Sequence, residues 1–160
     1  MNRMSWKGLL ATAPPASRVL VVDDDPEVRK ALSRLLIRAG HSIREARSAE
    51  EADQWLGSER FDVCLLDIEL PRMSGVEFLN WALVKDPEMA VIMLTGVDAP
   101  EVALECLDHG ARTFLVKPIE ASFLSRAIRD AIVLRRLLIE HNERAGRTAS
   151  AEGSPWHASS

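Results

Sequence analysis

The sequence predicts a doubly wound α/β domain in which a five-stranded parallel sheet carries helices on both faces. Three observations lead there. Four short apolar runs each end in a residue with chemistry to offer: Val19-Leu20-Val21-Val22 in Asp23-Asp24-Asp25, Val63-Cys64-Leu65-Leu66 in Asp67, Val91-Ile92-Met93-Leu94 in Thr95-Gly96, and Phe114-Leu115-Val116 in Lys117-Pro118. Continuous apolar runs of this length suit strands buried on both faces. Between the runs lie segments with helical spacing and recognisable caps. Strand and helix alternate five times, the pattern of parallel strands joined by right-handed crossovers.

Each element has its own warrant. Residues Met1 to about Ser17 read as a mobile leader, with Pro14-Pro15 blocking regular structure at its end. Arg18 to Val22 is the first strand. Asp24 or Asp25 is an acidic N-cap before Pro26, and Val28, Ala31, Leu32, Leu35 and Leu36 recur at helical spacing until Gly40. Ile43 to Ala46 is a more polar strand, suited to a sheet edge. Ser48 and Glu51 form a capping box that opens a helix through Ala52, Trp55 and Leu56. The Asp67 strand runs into a loop marked by Pro71 and Gly75. Val76, Leu79, Trp81, Ala82 and Leu83 then fit a helix that ends before Pro87. Pro100 opens another, with Val102, Ala103, Cys106 and Leu107, closed by Gly110. The last helix starts near Glu120 and is expected to end about Glu143, and the Ala-, Ser- and Gly-rich stretch after Gly146 reads as disordered. The division is a leader over 1–17, one domain over 18–139, and a helix extension with tail over 140–160.

Bulk properties narrow the function. At 160 residues the chain suits one domain with short extensions. A net charge of −4 gives no electrostatic reason to expect nucleic acid as a direct partner. Cys64 and Cys106 have neither metal-ligand spacing nor a disulfide framework, which fits a reducing cytoplasm. No apolar run approaches the ~20 residues that cross a bilayer. The expected location is cytoplasmic. The four histidines are scattered and none reads as catalytic, and Met73, Met89 and Met93 read as packing residues.

The strand ends carry the chemistry. Open α/β sheets place ligand sites at the carboxyl ends of their strands. Asp23, Asp24 and Asp67 would crowd there, which is unfavourable unless a cation neutralises them. Hard oxygen donors with an incomplete protein shell suit Mg²⁺, with Mn²⁺ an allowed substitute. Lys117 adds a positive charge able to pair with Asp67 or with a phosphate, and Thr95 a hydroxyl. Ser74, Gly75 and Gly96 keep the surrounding loops slim. A carboxylate, a metal and an ammonium supply what phosphoryl transfer to an aspartate needs. Singly, Asp24 or Asp25 reads as a helix cap and Thr95 as a turn residue. Their joint placement, each at the end of a different apolar run, reads as a site.

These motifs resemble a known family. Val-Val-Asp23-Asp24, Leu-Leu-Asp67-Ile-Glu-Leu-Pro71-Arg-Met-Ser-Gly75, Met-Leu-Thr95-Gly and Val-Lys117-Pro118 are similar to the receiver domain of two-component response regulators over roughly Arg18 to Ile139. The resemblance implies a flavodoxin-like fold with strand order 2-1-3-4-5. It implies Asp67 as phosphoacceptor, and Asp23 and Asp24 as the acidic pair that holds Mg²⁺ with the backbone carbonyl of Glu69. It further implies Thr95 as the switch hydroxyl, Lys117 as a phosphoryl partner, a cis Lys117-Pro118 peptide, and Phe114 at the aromatic switch position. Phe replaces the common Tyr there, so no phenol hydrogen bond is available. A histidine kinase or phosphotransfer protein would be the donor, an altered protein contact the output, and water attack the reset. Glu69 and Val97 would flank the site and tune that last rate. The apolar surround of Ile132, Val133, Leu134, Leu137, Leu138 and Ile139 exceeds what one core can use, which suggests a homodimer or another protein pairing through the last helix.

The main competitor is a haloacid-dehalogenase-type phosphatase. That class needs a second Asp two residues after its nucleophile, where this chain has Glu69, and a late acidic pair, where Asp23-Asp24 is early. Nucleotide binding lacks its glycines, since the first turn is Asp23-Asp24-Asp25-Pro26. A phosphorylation-independent binding module would not need Asp67, Thr95 and Lys117 together. No turnover of an external substrate is expected.

Overall fold

The computed structural model describes residues 16–151 apart from 97 and 99, and only the backbone of 149–151. Residues 1–15 of the leader, the end of the tail and Val97 lie outside the described residues, while Ser17, read as the leader's end, is buried and its carbonyl accepts the Ser42 N–H at 2.9 Å. Five strands form one sheet: β1 (Arg18–Val22), β2 (Ser42–Ala46), β3 (Val63–Asp67), β4 (Ala90–Thr95) and β5 (Thr113–Val116). All pairings are parallel, in the order β2-β1-β3-β4-β5. The five helices among the described residues are α1 (Pro26–Arg38), α2 (Ala49–Ser58), α3 (Gly75–Lys85), α4 (Pro100–Asp108) and α5 (Ala121–Ala151).

Strand alternation divides the core in two. Leu20, Val22, Cys64, Leu66, Val91 and Met93 face α2, α3 and α4. Val19, Val21, Val63, Leu65, Ile92 and Leu94 face α1 and α5. Every residue of β3 and β4 is buried, as central strands between two helix layers must be. Both cysteines are buried and free, and burial pushes the Cys64 thiol up to about 12.

Several expectations need correction. β5 is not a buried strand. It is the sheet edge opposite β2, its first three residues are half-buried, and Val116 is 45% exposed. An apolar run cannot reveal that it lacks a neighbour on one side. Ser48 caps α2 as expected, but the Glu51 carboxylate accepts from the Arg47 N–H at 3.0 Å rather than completing a box on Ser48. The reciprocal box forms instead at α3, between Ser74 and Glu77. The acidic cap expected before Pro26 is present, and of its two candidates it is Asp25 that caps α1, accepting from the Glu27 N–H at 2.9 Å. Met73 is exposed rather than packed. α5 continues through Gly146 to Ala151, past the predicted stop and into the first residues of the stretch read as disordered. The residues from 140 to 148 are exposed, so this turn-by-turn continuation rests on backbone hydrogen bonding rather than on the core.

Candidate functional site

The parallel register brings the strand ends together. β1 and β3 are neighbours with Val22 opposite Leu66, so Asp23 and Asp67 leave the sheet side by side. β4 lies against β3 with Leu94 opposite Asp67, which places Thr95 one residue further along the same rim. β5 follows with Val116 opposite Thr95, and the Lys117 N–H donates to the Thr95 carbonyl at 2.8 Å. The Lys117-Pro118 peptide is cis.

Asp23, Asp24 and Asp67 each present a carboxylate oxygen within 4.8 Å of the others. Asp23 and Asp67 are buried and Asp24 is exposed. Lys117 Nζ lies 2.7 Å from Asp23 Oδ2 and 3.3 Å from Asp67 Oδ2. Its nearer partner is therefore Asp23, whereas the sequence pointed to Asp67. The remaining oxygens are fixed by backbone amides. Asp25 N–H donates to Asp23 Oδ1 at 2.9 Å, and Glu69 N–H donates to Asp67 Oδ1 at 3.0 Å. Thr95 is buried and donates its hydroxyl to the Gly96 carbonyl at 3.1 Å. Phe114 is half-buried against the α2–α3–α4 side of the core.

Electrostatics single out Asp67. Burial, and then the Asp23 charge, push its carboxyl up to about 6 against the pull of Lys117 and the Glu69 amide. For Lys117, burial disfavours the ammonium, but hydrogen bonding to Asp23 and the charges of both carboxylates outweigh it and raise its pKa. The donor set fits a hard divalent cation. It is all oxygen, and the buried Asp23 Oδ2 meets, among the described residues, only the Lys117 ammonium, at 2.7 Å.

Two features escaped the sequence reading. Arg29, one turn into α1, donates to the Asp23 carbonyl at 2.7 Å and lies 3.6 Å from Glu45, tying α1 to the acidic turn. Its spacing from Asp23 was visible, but nothing local distinguished it from the other basic residues of that helix. Gly75 is needed for space rather than looseness. A Cβ there would sit 2.1 Å from the Asp67 carbonyl oxygen and 2.7 Å from Ile68 Cα. Gly96 has open space around it and carries no such requirement.

Fold and site together define a flavodoxin-like domain with an acidic centre at its topological switch point. A sequence model of the response regulator receiver domain matches residues 19–129. The chain belongs to that family. It is 35% identical over 118 residues to the response regulator protein PilR of Pseudomonas aeruginosa, covering 74% of this chain and 26% of PilR. It is 33% identical over 141 residues to the C4-dicarboxylate transport transcriptional regulatory protein DctD of Rhizobium meliloti, covering 88% of this chain and 31% of that protein. Among solved structures, a CheY-like receiver domain protein from Methanospirillum hungatei superposes with a TM-score of 0.72 at 30% identity, covering 76% of this chain and 97% of that one. The chain thus spans about a quarter to a third of the two regulators but nearly all of the receiver protein. These matches give the haloacid-dehalogenase-type reading no support. No described helix is long and apolar enough to cross a membrane.

Proposed function

We propose that Asp67 accepts a phosphoryl group from the phosphohistidine of a histidine kinase or phosphotransfer protein. The N–P bond of the donor breaks, a bond forms between phosphorus and an Asp67 oxygen, and the imidazole leaves to be reprotonated by water. The observation that supports this best is the bridge of Lys117 between Asp23 and Asp67 beside the three-carboxylate cluster. Asp23, Asp24, Asp67 and the Glu69 carbonyl would hold Mg²⁺, or Mn²⁺, which supplies charge neutralisation for the transferring group. Lys117 adds the second positive charge. The Thr95 hydroxyl, which donates to the Gly96 carbonyl, would turn toward a phosphoryl oxygen.

Output follows from that turn. Moving Thr95 alters the segment leading to α4, and Phe114 on the adjacent strand can repack between inward and outward positions. Water attack on the acyl phosphate restores the start, so the chain turns over no external substrate. The exposed Leu134 and Leu137, 42% and 45% accessible, support pairing of α5 with a second copy or another protein. Location in the cytoplasm agrees with this role. Incubation with Mg²⁺ and a small phosphodonor is expected to give a labile phosphoryl adduct on the wild type and none on Asp67→Asn. An adduct that survives the substitution removes Asp67 from the role. Sedimentation showing a strict monomer with and without beryllofluoride removes the pairing.

A further inference from the structure

We propose that the outer ridge of α3, built on Trp81 and Val84, is a docking surface for a cationic amphipathic helix of a partner protein. Two large apolar side chains stand out of this helix: Val84 is 79% exposed and Trp81 is 49% exposed. Neither contributes to the core beneath, which α3 supplies with Phe78, Leu79 and Ala82 from its inner face.

Trp81 is exposed yet held. Its indole N–H donates to Asp53 Oδ1 of α2 at 2.7 Å, and Lys85 Nζ lies 5.2 Å from its ring centre. An aromatic fixed in this way loses little rotamer freedom when a partner covers it, which is how binding hot spots are commonly built. Asn80 and His109 join α3 to the turn that follows α4 through a 3.0 Å contact, so the ridge and its flank form one surface.

Charge decides the partner. The net charge of −4 conceals a segregation between the two faces of the sheet. Helices α2, α3 and α4, which cover one face, carry seven acidic residues and a single base, Lys85. That base is occupied by Asp53 and Trp81. Helices α1 and α5, which cover the other face, carry ten basic residues and four acidic ones. Glu77 flanks the ridge on α3, and Glu105 and Asp108 stand exposed on α4. An apolar ridge among exposed carboxylates, on a helix layer whose single base is already engaged, selects a helix that alternates leucine-like and lysine- or arginine-like residues. The ridge is also tied rigidly to the acidic centre, because Gly75 opens α3 directly against the Asp67 carbonyl. The surface does not depend on phosphoryl chemistry, so its test needs no phosphodonor.

The probe is an 18-residue helical peptide with leucine on one face and lysine on the other, titrated into the ¹⁵N-labelled full chain at low salt. Amide shifts are expected on α3 from Glu77 to Val84 and on the adjoining turn of α4. The same peptide with glutamate for lysine should not bind. Trp81→Ala and Val84→Ser should each weaken binding about tenfold. Val84 is so exposed that its replacement leaves folding intact, which circular dichroism checks. Phe123→Ala, on the opposite helix layer, should change nothing. Shifts spread evenly over all acidic side chains, or equal binding by Trp81→Ala and Val84→Ser, overturn the proposal. So does self-association without peptide that Arg34→Glu on α1 abolishes, because the ridge would then belong to a second copy.

Discussion

Replacing Asp67 by Asn should stabilise the metal-free protein while abolishing the phosphoryl transfer proposed for it. The Asp67 carboxyl titrates near 6 in the fold against 3.8 for its ordinary value, raised by burial and by Asp23. Between those values the folded chain binds more protons than the unfolded chain. Wild-type stability therefore rises as pH falls through 6, and the carboxylate costs most above pH 7. A difference of this size is worth about 3 kcal/mol at the upper limit, since each pKa unit is about 1.4 kcal/mol. Asn keeps the shape and removes the charge, and Lys117 retains Asp23 at 2.7 Å. The expected gain is about 1–3 kcal/mol at pH 7.5, shrinking toward pH 4. Urea unfolding in EDTA, with both proteins followed from pH 7.5 to pH 4, measures it. His41, whose pKa burial lowers, destabilises the fold as pH falls below its ordinary value, but it is present in both proteins and cancels in the difference. Mg²⁺ at ten times its dissociation constant should add about 1.4 kcal/mol to the wild type and much less to Asp67→Asn. An Asn variant no more stable than the wild type in EDTA at pH 7.5, or a gain that grows on acidification, refutes the electrostatic account of the site.

Three further substitutions test the scaffold around that carboxylate. Gly75→Ala should cost about 3 kcal/mol or more, because the new Cβ meets backbone that cannot rotate away; a Tm within a degree or two of wild type would contradict the close approach. Ser74→Ala removes the cap that accepts the Glu77 N–H at 3.2 Å and should cost about 1 kcal/mol by denaturant titration. Arg72 holds φ at 69°, in the left-handed region, and its ion pair with Glu50 at 3.5 Å is largely exposed. Arg72→Gly should therefore be neutral to stabilising by about 1 kcal/mol, and a loss beyond that would show the pair to matter more than the backbone.

Much of this molecule was legible residue by residue, because the controlling signals are local. Apolar runs of three or four residues, Pro26 after an acidic cap and Gly40 at φ 93° each act within one turn of chain. The alternation of those elements leaves few topologies, so a parallel sheet with strand ends gathered at one rim followed directly. Asp23, Asp24, Asp67 and Lys117 could be named for the same reason: each lies just past or at the end of such a run.

What the chain order could not convey depends on which neighbours each residue acquires. β5 reads like β3 but has no strand beyond it, so its side chains stay half-exposed. Asp23 and Asp24 are adjacent in sequence, yet only Asp23 is buried, and the Lys117 ammonium lies nearer to it than to Asp67. Trp81 fits an apolar helical pattern but emerges outward, held by an aspartate 28 positions away. The two charged faces are invisible in a net value of −4, because assigning a helix to one side of a sheet requires the whole fold. Local periodicity specifies the elements and their ends. Distances between charges, and the surface that each helix leaves uncovered, are set only when those elements pack.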